Sequence, residues 1–278
     1  MTNPNHEGTF QGANGLELYY QSWHPLALAR AVLVIIPGHG GHSSIFTKMA
    51  EYLIERNYIV YSFDLRGNGR SLGQRGYINN WAEFREDLKI FLNLVKSKEP
   101  QQDLFIIGQS MGGTIALDYI LREPNQPQGL ILISPALGLG VSGWKLFLGK
   151  VLSSILPRFA LNTSISFCAA SRDPEVVAIC AKDPLRHSQG TARLAAQLLQ
   201  TIDWIYAHAT EIEVPLLILH GGADRVTLPE NSRILFECLT LADKEIREYP
   251  DSYHELHWDI NYLEVLADMD HWIQRHNF

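Results

Sequence analysis

Five short runs of largely apolar, often β-branched residues limit what this chain can become: AVLVII (31–36), YIVYSF (58–63), DLFII (103–107), GLILI (129–133) and VPLLILH (214–220). Each is too short for a stable helix and too continuously apolar for a strand with one face in water. Each therefore reads as a strand covered on both sides. Between them lie segments with apolar residues at helical spacing: IFTKMAEYLIERN, WAEFREDLKIFLNLVKS (81–97) and MGGTIALDYILR (111–122). Strands that alternate with helices in this way join in parallel through right-handed crossovers. The expected fold class is α/β, a mostly parallel central sheet with helices on both faces. GLELYYQSW (15–23) adds an early strand and KEIREY (244–249) a late one, with further helices at 191–208, near 229–240 and near 260–275.

The alternation stops after Ser134 and resumes only near Gly190, with helical or irregular sequence between. The expected organisation is a first part of the core at 1–136, an inserted mainly helical cap at 137–190, and the second part of the same core at 191–278. With 278 residues, 46% of them hydrophobic and 19% charged, the chain is long enough to bury a substantial core. A net charge of -7 and the lack of any basic block argue against a nucleic-acid partner. Cys168, Cys180 and Cys238 are too few and too scattered for a disulfide framework. The start, MTNPNHEGTFQGANG, has neither the basic head nor the apolar stretch of a signal peptide, and no apolar run approaches the ~20 residues of a membrane span. A cytoplasmic location is expected.

LFIIGQSMGG (104–113) carries the chemistry. A buried strand runs into a serine fenced by glycines, which is either an ordinary strand-to-helix turn or a nucleophile elbow that lifts Ser110 off the sheet edge. A serine nucleophile needs a base within reach and an acid to orient that base. VPLLILHGGADRVT places Asp224 just past one strand, and KEIREYPDSYHEL places His254 just past the last. Taken singly, Asp224 could cap the following helix and His254 is one of 11 histidines. Together, three residues of the right type stand at three strand ends in the order Ser, Asp, His, which is the α/β-hydrolase order. Two backbone N–H groups are expected to face the oxyanion, that of Met111 at a helix start and that of His39 in PGHGGH. His39 and His42 have no further ligand at metal spacing, so no metal is expected, and the reaction needs no cofactor. DLRGNGRS (64–71) lacks a full dinucleotide fingerprint and reads as packing beneath the site.

The chain resembles the monoacylglycerol lipase and lysophospholipase branch of the α/β-hydrolases, which is also associated with serine aminopeptidases of the S33 type. The resemblance runs from about residue 10 to the C-terminus. It rests on PGHGGHSSIF, DLRGNGRS, GQSMGG, GGADRV and YHEL. It implies Ser110 as nucleophile, Asp224 as acid, His254 as base, and oxyanion amides from His39 and Met111. The stretch KVLSSILPRFALNTSISFCAASRDPEVVAICAKDPL is similar to the family's cap and turns the implied substrate toward a monoacylated lipid. The product would be a fatty acid, released from an acyl-enzyme on Ser110, with glycerol or a glycerophospho-alcohol.

Three positions depart from the family: Pro37-Gly38 replaces a His-Gly pair, and Leu65 and Asn68 stand where histidines are common, with a packing role expected to be replaceable. Cys238 is expected to be buried. Within the cap, Leu148, Val151, Leu152, Ile155, Leu156 and Phe159 recur at helical spacing. This stripe either packs on the body or lines an acyl channel and touches a micelle or bilayer surface. With only Lys145, Lys150 and Arg158 nearby, attraction to anionic lipid would be modest. Serine at 110 separates the chain from enzymes of this fold with a carboxylate nucleophile. The alternatives are a small-ester or thioester hydrolase, an aminopeptidase with a pocket carboxylate such as Asp173 or Glu175, and a binding protein on an inactive hydrolase scaffold.

Overall fold

The computed structural model describes residues 6–123, 127–138, 153–162 and 170–277. The strands are β1 (His6–Gln11), β2 (Glu17–Trp23), β3 (Ala31–Ile36), β4 (Tyr58–Phe63), β5 (Leu104–Gln109), β6 (Gly129–Ile133), β7 (Ala160–Asn162), β8 (Gln189–Thr191), β9 (Leu216–Gly221) and β10 (Lys244–Tyr249). The α-helices are α1 (Thr47–Ile54), α2 (Ala82–Lys98), α3 (Met111–Arg122), α4 (Pro174–Lys182), α5 (Ala192–His208), α6 (Pro229–Cys238) and α7 (Tyr262–His276).

Eight strands form one sheet in the order β1-β2-β4-β3-β5-β6-β9-β10. From β4 to β10 every neighbouring pair is parallel, while β2 runs antiparallel to both β1 and β4. The predicted α/β architecture is thus realised, with both faces of the sheet covered. In β3, Val32, Val34 and Ile36 face one core, shared with Phe84, Leu88 and Phe91 of α2 and Ile202 and Ile205 of α5. Leu33 and Ile35 face the other, shared with Met49 and Leu53 of α1 and Met269 and Trp272 of α7. Period-two alternation with apolar residues on both sides explains why the central strands read as continuous apolar runs.

The sequence misses the first strand. β1 lies at the sheet edge, and of its six residues only Phe10 is buried, so the alternation that would announce a strand is absent. β7 and β8 pair antiparallel in a small separate sheet, each only three residues long, too short for a period to register. Among the described residues, the stretch between β6 and β9 adds no strand to the eight-stranded sheet; it holds β7, α4, β8 and α5. Among the described residues, no helix is long and apolar enough to cross a membrane. Cys238 is exposed, contrary to expectation: it is the last residue of α6, past the helix's buried positions Ser232 and Leu235.

The DLRGNGRS segment is a polar strut. Asp64 accepts the N–H of Ser43 at 2.6 Å and that of Arg70 at 2.7 Å. Buried Arg66 grips Asp87 through two bonds of 2.7 Å and reaches Glu83 at 3.0 Å. This joins the turn after β4 to the loop after β3 and to helix α2, fixing the floor under the C-terminal sheet edge. A parallel sheet gathers its functional loops along that edge.

Candidate active site

Ser110 follows β5 directly and heads α3 with φ 52° and ψ −121°, a strained conformation for a residue with a side chain. The backbone around it holds the turn. Its N–H donates to the Ile133 carbonyl at 2.9 Å, and its carbonyl accepts from Gly113 at 2.9 Å and Ala136 at 3.0 Å. Glycine is required at 112, where a Cβ would lie 2.2 Å from the Ile36 carbonyl oxygen. The elbow predicted from GQSMGG therefore forms where β5 and α3 approach β3 too closely for any side chain between them.

Asp224 lies three residues past β9 and is 4% exposed. One carboxylate oxygen accepts the N–H of Val226 at 2.7 Å and of Thr227 at 3.1 Å. The other lies 2.7 Å from His254 Nδ1, accepts the Thr227 hydroxyl at 2.9 Å, and stands 3.3 Å from His220 Nε2. Asp224 does not cap α6: that helix begins at Pro229 with Leu228 at its N-cap. Burial alone would raise the Asp224 pKa, but the charge of His254 and the bonds from His220, His254 and Val226 outweigh it and hold the carboxyl well below the usual range.

His254 and Ser110 line one cavity with Gly38, His39 and Gln109. Met111 is not on its described wall and is buried as the first residue of α3 beside Ser110. In the loop after β3, Gly38 N–H donates to Gln109 Oε1 at 2.9 Å, Gly40 N–H to Asn68 Oδ1 at 2.9 Å, and Gly41 N–H to the Gly38 carbonyl at 3.3 Å. The amide between these committed donors is that of His39, the one the sequence assigns to an oxyanion. Gly40 has φ 71°, and a Cβ there would lie 2.0 Å from the His187 carbonyl oxygen, so the loop needs glycine to pass under the segment before β8.

That segment and its surroundings complete the wall with Ala170, Arg186, His187 and Ser188. Arg186 pairs with Glu255, and both lie on the wall. The His187 ring meets that of His39 edge-on at 5.4 Å. Burial, reinforced by the charges of His39 and Arg75, pushes the His187 pKa down to about 4, and burial also lowers that of His39. Both rings are therefore neutral at pH 7, and the charged side chains on the described wall are the paired Arg186 and Glu255. His42 and His39 diverge: His42 Nε2 lies 2.8 Å from Asp183, while His39 faces His187.

Two contributors escape the sequence. Thr227 Oγ1 lies 3.1 Å from His254 Nδ1 as well as 2.9 Å from Asp224, and reaches the Ser134 carbonyl at 3.1 Å. Asn68, expected only to pack, accepts both the Gly40 N–H and His187 Nε2–H, each at 2.9 Å. Asp173 accepts the Glu175 N–H as the N-cap of α4, and Glu175 is exposed; neither is on the described wall. Of the apolar stripe, Leu148, Val151 and Leu152 lie outside the described residues, as do Lys145 and Lys150; Ile155, Leu156 and Phe159 are each more than half exposed.

His257 is fully buried three residues past His254, and neither ring nitrogen has a hydrogen-bond partner among the described residues. Burial pushes its pKa down to about 4 from the ordinary 6.5. Between these values the unfolded chain binds more protons than the folded one, so stability falls as pH drops from 6.5 toward 4. The contribution is about 3 kcal/mol. His257→Leu is expected to flatten this acid loss, read as unfolding free energy by urea titration at pH 7 and pH 4.5. Equal slopes for parent and variant would refute the assignment.

The geometry puts a serine at the sheet edge, a buried carboxylate–imidazole pair and a glycine loop of backbone donors around one cavity, as acyl transfer requires. Comparison with known proteins agrees in kind. The family described as serine aminopeptidase, S33, matches residues 27–261. A monoacylglycerol lipase of Mycolicibacterium smegmatis is 31% identical over 273 residues, 97% of either chain. A caffeoylshikimate esterase of Arabidopsis thaliana is 30% identical, across 97% of this chain and 85% of its own. The crystal structure of a monoacylglycerol lipase from Paleococcus ferrophilus superposes with a TM-score of 0.84 at 31% identity, covering 93% of this chain and 99% of that one.

Proposed function

This chain belongs to the serine aminopeptidase S33 family of α/β-hydrolase fold enzymes, and from that premise we propose that it hydrolyses monoacylglycerol or lysophospholipid through an acyl-enzyme on Ser110. The observation that carries the reading is the strained Ser110 turn opening into the cavity that holds His254, whose Nδ1 lies 2.7 Å from Asp224.

His254 Nε2 takes the Ser110 proton as Oγ attacks the ester carbonyl, while Asp224 fixes the tautomer and offsets the charge of the imidazolium. The His39 and Met111 amides hold the oxyanion, and loss of one such donor costs about 3 kcal/mol of transition-state stabilisation. The imidazolium then protonates the departing alcohol oxygen. Water, deprotonated by the same nitrogen, releases the fatty acid.

In this reading the insertion 137–190 serves as the cap, and of its described residues Ala170, Arg186, His187 and Ser188 line the cavity. Two features favour a lipid. Exposed Ile155, Leu156 and Phe159 give the cap an apolar outer face suited to transient contact with a micelle or bilayer. The relatives at about 30% identity include a monoacylglycerol lipase. The aminopeptidase reading is disfavoured by charge: Glu255, the carboxylate on the described wall, is paired with Arg186, so no net negative charge awaits a substrate ammonium. A general esterase is the second reading, favoured by the similarity to a caffeoylshikimate esterase.

Release of fatty acid from 2-oleoylglycerol, beside lysophosphatidylcholine and a short p-nitrophenyl ester, tests the proposal with Ser110→Ala as the blank. Ser110-dependent turnover of the monoglyceride or the lysophospholipid well above the short ester is the expected result. Turnover of the short ester alone would keep the serine chemistry and overturn the lipid assignment.

A further inference from the structure

Gln109, the residue before the serine, has no part in the reaction as proposed, yet its side chain connects two working pieces of the site. It is 3% exposed and stands on the cavity wall. Its Oε1 accepts the Gly38 N–H at 2.9 Å, in the loop that carries the His39 amide. Its Nε2 lies 3.4 Å from His254 Nε2. The amide has one workable orientation, because turning it over would set its NH2 against the Gly38 N–H. The donor end must therefore face the imidazole. The fit to Gly38 is close: a Cβ there would lie 2.5 Å from Oε1.

We propose that Gln109 is a positioning residue that ties the oxyanion loop to the general base and biases that base toward its neutral form. The proposal rests on Ser110 and His254 as the reacting pair. With Nδ1–H directed at Asp224, the neutral ring carries a lone pair on Nε2, and the Gln109 N–H donates to it. This holds Nε2 toward the cavity between turnovers. Nε2 has a single lone pair, so the Gln109 bond is given up as the Ser110 O–H turns to that nitrogen, and once the proton has arrived the Gln109 donor faces an N–H with no acceptor. The protonated ring is thereby disfavoured, which drives the proton onward to the leaving alcohol oxygen. Through Oε1 the same side chain keeps the Gly38 peptide, and with it the next amide, in register with Ser110.

Among the described residues, the charged and titratable groups near His254 are Asp224 after β9 with His220 at 3.3 Å from it, Glu255 next in the chain, His257 three residues on, Arg186 paired with Glu255, and His39 and His187 on the cavity wall. None is altered by substitution at 109.

The test is kcat and KM for p-nitrophenyl butyrate across pH 5–9 in the full chain, comparing parent, Gln109→Glu and Gln109→Met, with thermal melting as the folding control. Gln109→Glu retains an acceptor for Gly38 but puts an oxygen where the donor stood, which favours a proton on Nε2. Its kcat/KM profile is expected to lose activity on acidification at a pH about 1 unit higher than the parent. Gln109→Met removes both bonds with little change in shape. Its kcat is expected to fall about tenfold with KM nearly unchanged, since the loss is of alignment in the transition state. A purely structural role would lower melting temperature and leave the acid limb in place. Acid limbs that superimpose for parent and Gln109→Glu would overturn the proposal. Failure of the underlying reading shows separately, as turnover or fluorophosphonate labelling that persists in Ser110→Ala.

Discussion

Ser110→Ala is expected to lower kcat/KM for esters by at least about 10⁴-fold, close to 5.5 kcal/mol of transition-state stabilisation. The hydroxyl is the only atom lost. What holds the turn is backbone: the N–H to Ile133 and the carbonyl shared by Gly113 and Ala136 persist in alanine. The φ of 52° is no worse for alanine than for serine, because the strain comes from Cβ, which both residues carry. The melting temperature should therefore stay within about 2 °C of the parent, since among the described residues no hydrogen bond of the Ser110 hydroxyl holds the turn. Residual catalysis by the oxyanion donors and by binding sets a floor rather than zero. Loss of covalent labelling by a fluorophosphonate should accompany the loss of turnover. Turnover above about a hundredth of the parent rate would mean that some other residue attacks the ester.

The sheet was legible wherever burial on both faces left a continuous apolar run. β3, β4 and β6 fall on AVLVII, YIVYSF and GLILI because every residue of each is buried. KEIREY was legible for a different reason. It is an edge strand with only Tyr249 buried, but it lies between helical patterns where a strand must fall to continue the alternation. β1, also at an edge, had no such context. Cys238 was misjudged from residue type: a free cysteine is ordinarily a small buried hydrophobe, but position 238 is the last residue of α6, past its buried positions 229, 232 and 235, and is open to solvent.

The proposed reacting residues were legible because each type stands at a strand end in a fixed order. Their supports were not. Asn68 meets His187 across 119 positions, and Gln109 meets His254 across 145. No periodicity reports such contacts, and an amide or hydroxyl in a loop has many ordinary roles. The departure at Asn68 was visible, but its meaning was not, since an acceptor for two N–H groups at once is a property of the assembled loops. Sequence order points to the candidate reacting groups. The groups that aim them emerge only when the sheet edge brings distant loops together.

Asp224→Asn tests that aiming directly, and kcat is expected to fall by about 10³- to 10⁴-fold with KM little changed. The direction follows from which oxygen the neighbours can accept as an amide. Backbone N–H groups of Val226 and Thr227 both donate to Oδ1, so the asparagine must keep its carbonyl there. Its NH2 is then placed at the former Oδ2, 2.7 Å from His254 Nδ1. A donor at Nδ1 moves the ring proton to Nε2, the atom that must accept from Ser110, and the charge that stabilises the imidazolium is gone as well. Thr227→Val provides the contrast. It removes the hydroxyl that touches both Asp224 and His254 yet leaves the carboxylate and the tautomer in place, so a drop of only about tenfold is expected. Measured kcat values for the two variants separate control of the tautomer from packing around the pair. Near-equal losses in both would show that the carboxylate merely packs, and an Asp224→Asn enzyme within tenfold of the parent would remove Asp224 from the reaction.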